Sequence, residues 1–252
     1  MSIKVTIITA TYNSEKYLDD CIDSVEKQGY KNIEHIIIDG KSEDHTVSII
    51  KKHEHSIAYW ISETDRGMYD AINKGIKMAT GDIIGILNSD DMLEAEDVIT
   101  AIVETFERKQ VDAVYGDLDF VEKENINKVV RIWKGKPYKR SLFKAGWMPA
   151  HPTFYIKSSL VKQYGGYESH YFSAADYEFM ARYLFKHRVS AYYLPKLLVK
   201  MRMGGQSNKS FYQRLRANRR DYLAMKKNNI PFPFLTSILK PLSKLHQFYN
   251  KV

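Results

Sequence analysis

Two adjacent aspartates, Asp90 and Asp91, follow the apolar run at residues 83–87 and could together hold a metal ion. A strand over that run would deliver both carboxylates to one edge of a sheet. Like charges this close repel each other unless a cation lies between them, and hard carboxylate oxygens select Mg²⁺ or Mn²⁺. The alternative is that one aspartate only caps the following helix. The pair predicts a divalent-cation site.

Three more polar segments follow predicted strands, at residues 9–13, 39–42 and 63–67. In open α/β sheets, ligands bind beyond the carboxyl ends of the strands. Each segment alone is more often a turn or a helix cap, but four on one edge of a sheet favour a binding site. The chain contains neither Gly-x-x-x-x-Gly-Lys-Ser/Thr nor Gly-x-Gly-x-x-Gly. A bound diphosphate would therefore be held by metal and side chains.

The elements that must position these residues alternate between strand and helix in the first half of the chain, which favours a parallel sheet layered with helices. Strands are predicted at residues 4–9, 34–38, 57–61, 82–87 and 113–115. Helices with an apolar period of 3.6 residues are predicted at 17–25, 68–79 and 96–109. Cys21 lies on the apolar face of the first helix and is expected in the core.

The pattern is less regular after Gly116. The elements expected there are an antiparallel strand near residues 129–133, a short strand around residue 154, a small helix after residue 158 and a helix at residues 175–186. The tail is predicted as two helices separated at residues 231–233, with Pro241 kinking or splitting the second. Apolar residues of that second helix share one face, which suits either a membrane surface or packing on the body.

Positive charge is concentrated at the end of the chain. The net charge is +8 at pH 7, and residues 205–252 hold ten Lys and Arg against one acid, so the preceding residues are close to neutral. This asymmetry favours contact with a membrane or a phosphorylated substrate, with a solvated basic helix as the alternative. No nucleic-acid-binding motif accompanies the charge, so no nucleic acid is expected as a partner.

The length of 252 residues fits one large domain or at most two small ones. No apolar run approaches the ~20 residues of a membrane-spanning helix, and the first residues lack the plan of a signal peptide. The single cysteine excludes an intrachain disulfide framework and a multi-cysteine zinc site. A cytoplasmic protein is expected.

Four segments together resemble glycosyltransferase family 2. They are residues 9–13 (Thr-Ala-Thr-Tyr-Asn), 38–40 (Ile-Asp-Gly), 63–82, which begins Glu-Thr-Asp-Arg-Gly, and 87–91 (Leu-Asn-Ser-Asp-Asp). The resemblance is strong over residues 3–120 and looser as far as Ser207. Asn88 stands where many members have the first aspartate of Asp-x-Asp.

The resemblance implies an α/β chain of the GT-A fold with a mixed central sheet. A nucleotide-binding, Rossmann-like half at about residues 1–120 would join an acceptor-binding half at 121–207, and residues 208–252 would form a basic helical tail. It also implies a Mn²⁺ or Mg²⁺ ion held by Asp90 and Asp91. The residues expected to bind the nucleotide-sugar donor are Thr9, Thr11, Tyr12, Asp39, Arg66, Asp90 and Arg202.

Within that donor site, the resemblance gives two residues a specific task. Asp39 would accept a hydrogen bond from the imide N–H of uracil, which favours a UDP-linked donor, although GDP and dTDP donors stay open. Arg202 lies in residues 201–207, which resemble the late loop that closes over the diphosphate. Its charge would complement phosphate.

The resemblance places the catalytic base at the start of a helix in the second half, where Asp176 stands. Ala175 precedes it, where Glu is common in the family. Asp117 and His151 are expected on the acceptor side. Asp176 would take the proton of the acceptor hydroxyl as its oxygen attacks the anomeric carbon from the opposite face, so the anomeric configuration would invert.

The implied reaction moves a sugar from a nucleotide sugar to a hydroxyl of a glycan acceptor. The acceptor is expected to be linked to a polyprenyl diphosphate at the inner face of the cell membrane, in surface polysaccharide assembly, with the basic tail as a peripheral membrane contact. Two alternatives stay open. One is a nucleotide-sugar-binding module without catalysis, and the other is a nucleotidyltransferase, although residues 9–13 lack the glycine that such enzymes usually carry.

Overall fold

The first half of the chain builds the parallel part of a sheet, as the alternation of elements predicts. In the computed structural model, which describes residues 2–204 and 211–242, strand β1 (Val5–Thr11) pairs in parallel with β2 (Ile33–Asp39) and with β4 (Ile83–Ile86). Strand β3 (Tyr59–Ser62) pairs in parallel with β2. The carboxyl ends of these strands therefore meet at one edge.

Four helices alternate with these strands along the chain and bury their apolar faces in the core. They are α1 (Leu18–Glu26), α2 (Thr46–Lys52), α3 (Met68–Met78) and α4 (Val98–Lys109), with a short 3-10 helix at Glu54–Ser56. On α1 the buried residues Leu18, Cys21, Ile22 and Val25 recur at helical spacing, so the core position expected for Cys21 is confirmed.

Five further strands extend the sheet. They are β5 (Asp91–Leu93), β6 (Ala113–Val121), β7 (Val129–Trp133), β8 (Tyr155–Lys157) and β9 (Ala191–Arg202). The order across the sheet is β3-β2-β1-β4-β8-β6-β9-β5, with β7 beside β6. Strand β8 is antiparallel to both β4 and β6, so it joins the parallel half to the second half in one mixed sheet.

The remaining helices cover the second half. They are α5 (Ser158–Tyr164), α6 (Ala175–Met180), which continues as a π-helical turn at Ala181–Lys186, α7 (Phe211–Lys227) and α8 (Pro233–Leu242), with short 3-10 helices at Arg140–Ala145, His151–Thr153 and Ser169–Ala174. The predicted break between the two tail helices is confirmed. Neither the long α7 nor any other helix of the described ranges is apolar enough to cross a bilayer.

Helices α7 and α8 pack on the body. Ala224, Met225 and Asn228 are fully buried, and the side-chain amide of Asn228 donates to Glu178 Oε1 of α6 at 3.2 Å. The amino group of Lys240 on α8 contacts Asp221 Oδ1 of α7 at 2.6 Å. The predicted continuation of the second tail helix toward Phe248 lies outside the described residues.

Candidate functional site

The turn after β4 places a buried carboxylate with one unpaired oxygen at the edge of the sheet. The turn is closed by the backbone N–H of Asp91, which donates to the carbonyl of Asn88 at 3.0 Å. Asp91 is fully buried, and its Oδ2 accepts a hydrogen bond from the Asn88 amide at 2.7 Å. Its Oδ1 has no hydrogen-bond partner among the described residues. Burial and the charge of Asp90 raise the pKa of Asp91 well above its usual range.

This environment fits a divalent cation. Burial also raises the pKa of Asp90, so both carboxylates are unfavourable as anions without a counter-charge. A hard cation bound between them would supply that charge and take the unpaired oxygen of Asp91 as a ligand. The residues predicted to hold Mg²⁺ or Mn²⁺ are therefore adjacent and chemically suited to it.

Arg202 lies against the same turn. It is almost fully buried, its Nη1 donates to the carbonyl of Asp90 at 2.9 Å and its Nε donates to the carbonyl of Lys123 at 3.1 Å. Its Nη2 donates to the carboxylate of Asp20, and its guanidinium stacks over the ring of Tyr17. Strand β9 thus brings a fixed positive charge beside the aspartate pair. The end of the predicted phosphate loop, residues 205–207, lies outside the described residues.

Asp39 anchors a second pocket at the ends of β2 and β3. Its buried carboxylate accepts hydrogen bonds from the Ser42 N–H at 2.9 Å, the Ser42 hydroxyl at 2.5 Å and the Ser62 hydroxyl at 2.5 Å. Because a carboxylate offers about four lone-pair sites, one acceptor site remains. No sequence motif marks Ser62 as a site residue, since a serine at a strand end is common.

Gly40 lets two more side chains approach this pocket. A Cβ at this position would lie 2.7 Å from Asp65 Oδ2 and 3.4 Å from the ring of Tyr12. Tyr12 is 61% exposed, so its ring offers a flat face at the mouth of the pocket. The structure therefore brings Tyr12, Asp39 and Asp65 together.

The other predicted donor residues differ in position. The Thr11 hydroxyl is buried and has no hydrogen-bond partner among the described residues. The fully buried Thr9 hydroxyl instead lies 3.0 Å from His35 Nε2, inside the core rather than at the sheet edge. The Arg66 side chain is exposed and forms an ion pair with Asp70 at 2.9 Å. Thr9 can therefore reach a ligand only through its backbone.

Asp176 lies in the first turn of α6 beside a group of aromatic residues. Its Oδ1 accepts the N–H of Tyr177 at 2.6 Å. His151 Nε2 and the Tyr167 hydroxyl are 2.8 Å apart, and the Tyr167 ring stacks on Tyr69 at 5.4 Å. Burial and then the charge of Asp176 raise the pKa of Tyr167 well above its usual range. Burial lowers the pKa of His151, opposed by the charge of Asp176.

The structure therefore brings Asp176 and His151 into one cluster with Tyr69 and Tyr167, and the roles expected for Asp176 and His151 stay predictions. Nothing in the sequence singled out these two tyrosines, because tyrosine is abundant in this chain. Asn73 of α3 fixes the second of them, since its amide donates to the Tyr167 carbonyl at 2.7 Å and accepts the Tyr167 N–H at 2.8 Å. This contact ties a helix of the first half to the second half of the chain.

Asp117 lies on β6 and holds a loop. Its Oδ1 accepts hydrogen bonds from the N–H of Gly135 and from the hydroxyl of Tyr193, both at 2.7 Å. Its neighbour Asp119 has a pKa raised by burial and by the nearby charges of Glu94 and Asp117. The acceptor role expected for Asp117 stays a prediction.

A separate acidic cluster lies on α1 and at the end of α2. One ligand atom from each of Asp23, Glu26 and His53 falls within 4.8 Å of the others. His53 Nε2 also lies 2.8 Å from Asp19 Oδ1. These groups pair with one another, whereas Asp91 keeps an unpaired oxygen, so the turn after β4 is the better fit to a catalytic cation.

Comparison with known proteins agrees with this geometry. The family described as Glycosyl transferase family 2 matches residues 6–165. An uncharacterized glycosyltransferase of Mycobacterium tuberculosis is 36% identical over 181 residues, which cover 71% of this chain and 68% of that protein. A PGL/p-HBAD biosynthesis glycosyltransferase of Mycobacterium bovis is 30% identical over 182 residues, which cover 70% and 68%.

Two solved structures share the fold. S. aureus TarS in complex with UDP-GlcNAc superimposes with a TM-score of 0.70 at 18% identity, over 98% of this chain and 72% of that one. The mannosyltransferase PcManGT of Pyrobaculum calidifontis, in complex with GDP-Man and Mn²⁺, gives 0.65 at 20% identity, over 95% and 69%. The GT-A fold with its mixed sheet is confirmed, and the chain belongs to glycosyltransferase family 2.

Proposed function

We propose that this enzyme transfers a sugar, with inversion, from a UDP-linked donor to a hydroxyl of a lipid-linked glycan during surface polysaccharide assembly. The observation that carries the proposal is the buried, unpaired Oδ1 of Asp91 beside Asp90. Such an oxygen needs a cation, and a donor diphosphate bound to that cation would neutralise it further. Asp90 and Asp91 would hold Mn²⁺ or Mg²⁺, which when bound stabilises the charge of the departing diphosphate.

The donor nucleoside is assigned to the pocket of Tyr12, Asp39 and Asp65. The remaining acceptor site of Asp39 suits an N–H of a base, and the exposed Tyr12 ring suits stacking. UDP is the proposed nucleotide because uracil presents one imide N–H to this site, and the test below includes dTDP because thymine presents the same group. The TarS structure holds UDP-GlcNAc and the PcManGT structure holds GDP-Man, so donors of this chemical class fit the fold.

Asp176 is the proposed base. Its cluster with His151 and Tyr167 is buried and supplies neutral groups that can position an acceptor hydroxyl, because burial lowers the pKa of His151 and raises that of Tyr167. Proton transfer to Asp176 would accompany attack of the acceptor oxygen on the anomeric carbon. A lipid-linked acceptor would place the enzyme at the inner face of the membrane as a peripheral protein. The M. bovis relative is named for PGL/p-HBAD biosynthesis.

The test separates donor binding from turnover. UDP, GDP, CDP and dTDP are each added with and without Mn²⁺ while the melting temperature is measured. UDP with Mn²⁺ should give the largest rise in melting temperature, because the proposed site binds both. A ligand at 100 times its Kd adds ~2.7 kcal/mol to the free energy of unfolding. Release of UDP from a panel of UDP-sugars then reports turnover.

Asp176→Asn should keep the UDP-dependent rise and lower turnover by about 10²–10⁴-fold. The matched control is Asp97→Asn, which changes an exposed carboxylate that pairs with Lys196, and it should leave both readings unchanged. Turnover that survives Asp176→Asn would refute the assignment of the base. No nucleotide-dependent rise in the parent protein would refute the donor site.

A further inference from the structure

Helix α8 is oriented opposite to an ordinary surface helix, because its apolar side chains face outward. The exposed fractions are 71% for Phe234, 54% for Leu235 and 47% for Ile238. Thr236, Ser237 and Lys240 of the same helix are buried. A helix on a soluble domain normally buries its apolar stripe and exposes its polar face. The outward apolar face therefore requires an explanation.

Specific polar contacts fix this orientation. The Thr236 hydroxyl donates to the carbonyl of Lys144 at 2.9 Å. The Lys240 amino group contacts Asp221 Oδ1 at 2.6 Å and lies 4.0 Å from the centre of the Tyr177 ring. Gly146 lies directly under the helix, since a Cβ there would be 2.6 Å from Lys240 Cα. Rotating the helix about its axis to bury its apolar face would break each of these contacts and leave their partners on the body unpaired.

The 3-10 helix on which α8 packs carries exposed lysines and lies in a basic stretch of the sequence. Residues 125–167 contain nine Lys and Arg and no Asp or Glu. Lys139 and Lys144 are exposed in this stretch, at the start and within the 3-10 helix Arg140–Ala145 on which α8 packs. Phe232, which precedes α8, is 76% exposed. We call Phe232, Phe234, Leu235 and Ile238, together with Lys139 and Lys144, the α8 surface.

We propose that the α8 surface docks the enzyme on an anionic phospholipid bilayer. Large apolar side chains on an in-plane helix enter the boundary between headgroups and acyl chains, and adjacent lysines are attracted to anionic headgroups. A second copy of the chain fits less well, because two such faces would bring like-charged lysines together. The proposal deepens the proposed function by naming the surface that contacts the membrane. The role of this contact in reaching a lipid-linked acceptor rests on the proposed function, whereas the binding itself does not.

The experiment measures flotation of the purified full chain with two kinds of vesicle. One is phosphatidylcholine alone, and the other contains about one third phosphatidylglycerol. The parent protein should float with the anionic vesicles. Combined Phe234→Ser, Leu235→Ser and Ile238→Ser substitutions should weaken this binding about tenfold or more. Combined Lys139→Ser and Lys144→Ser substitutions should weaken it by a similar factor, and added salt should weaken the parent in the same way.

Matched controls change the same residue types elsewhere. Met78→Ser with Val129→Ser removes exposed apolar side chains, and Lys51→Ser with Lys77→Ser removes exposed lysines. These variants should float like the parent. Because all the substituted side chains are exposed, the melting temperatures of the variants should match that of the parent, which guards against misfolding as a cause.

Three results would overturn the proposal. The first is unchanged flotation of the triple serine variant. The second is a parent that is dimeric in light scattering and a triple variant that is monomeric, with neither binding vesicles, since the occupant would then be a second copy. The third is loss of flotation on deleting residues 243–252 alone. UDP-dependent stabilisation without lipid tests the proposed function separately, so failure of one is distinguishable from failure of the other.

Discussion

At the scale of single residues, the site holds a buried polar group that lowers the free energy of unfolding. Asp91 is fully buried, one of its oxygens has no partner among the described residues, and burial raises its pKa. A buried polar atom without a partner costs about 1–3 kcal/mol. A carboxyl whose pKa is raised in the folded state destabilises the protein as pH rises above the pKa of the unfolded chain. The destabilisation by Asp91 is therefore present at neutral pH. Function, rather than stability, accounts for the carboxylate.

Asp91→Asn should therefore stabilise the protein and remove cation binding. We expect the variant to melt about 2–8 °C higher than the parent at neutral pH without metal. Addition of Mn²⁺ with UDP should raise the melting temperature of the parent but not that of the variant. Asp97→Asn serves as an exposed control and should respond to Mn²⁺ with UDP like the parent. An equal rise in Asp91→Asn and the parent would contradict the metal site.

The sequence could predict which residues end strands but not where every side chain points. Asp90 and Asp91 are marked by an apolar run and a doubled charge, and the structure places them together as expected. Thr9 was expected to bind the donor, yet its side chain faces His35 in the core. Strand β1 is buried on both faces, so the period-2 pattern that would reveal side-chain direction is absent.

At the scale of elements, α6 depends on a buried ion pair for its position. Arg182 Nη2 lies 3.0 Å from Glu178 Oε2, and both side chains are nearly inaccessible. The same guanidinium donates to the carbonyl of Gly165 at 2.9 Å and to that of Gly166 at 2.6 Å. These bonds connect the π-helical turn to the loop before Tyr167. Arg182 thus positions the helix that carries Asp176.

Arg182→Ala should destabilise the protein by about 3–5 kcal/mol, because Glu178 would be left buried without its counter-charge. Urea unfolding at neutral pH measures this change. The control Arg108→Ala removes an exposed arginine at the end of α4 and should change stability by less than about 0.5 kcal/mol. A loss of similar size in both variants would show that the ion pair does not hold α6.

Strand β9 was not predicted from the sequence, and its irregularity explains why. The strand contains Pro195, which cannot donate to a ladder. Its pairing with β6 passes from Tyr193 opposite Tyr115 to Leu197 opposite Asp117, so three residues of β9 bulge opposite Gly116. Pro195 and this bulge interrupt the strand pattern of the sequence, and pairing with β6 and β5 joins the two parts into one strand.

At the scale of the whole molecule, one close backbone approach, at Gly146, helps to hold α8 against the second half of the chain. Gly146 has a φ of +76°, and a Cβ at this position would lie 2.6 Å from Lys240 Cα. Only glycine meets both demands, a left-handed conformation and close approach of a helix. The position of α8, and with it the direction of its apolar face, depends on this residue.

Gly146→Ala should displace α8 and cost about 1–3 kcal/mol. We expect a lower melting temperature and faster tryptic cleavage after Lys226 or Lys227, in the segment that leads into α8. Gly29→Ala is the control, because its Cβ would make only an ordinary 3.5 Å contact with Glu96 and its φ is not in the left-handed region. Equal cleavage rates for Gly146→Ala and the parent would contradict the bracing role.

The alkylation rate of Cys21, the only cysteine of the chain, can report on the opening of the turn that it contacts. Cys21 is fully buried on α1, its Sγ donates to the carbonyl of Asn88 at 3.3 Å, and burial raises the pKa of its thiol. Thiol reagents attack the thiolate, so reaction requires α1 to lift away from the turn that carries Asp90 and Asp91. The alkylation rate of the unaltered protein therefore measures how often the turn that carries Asp90 and Asp91 opens.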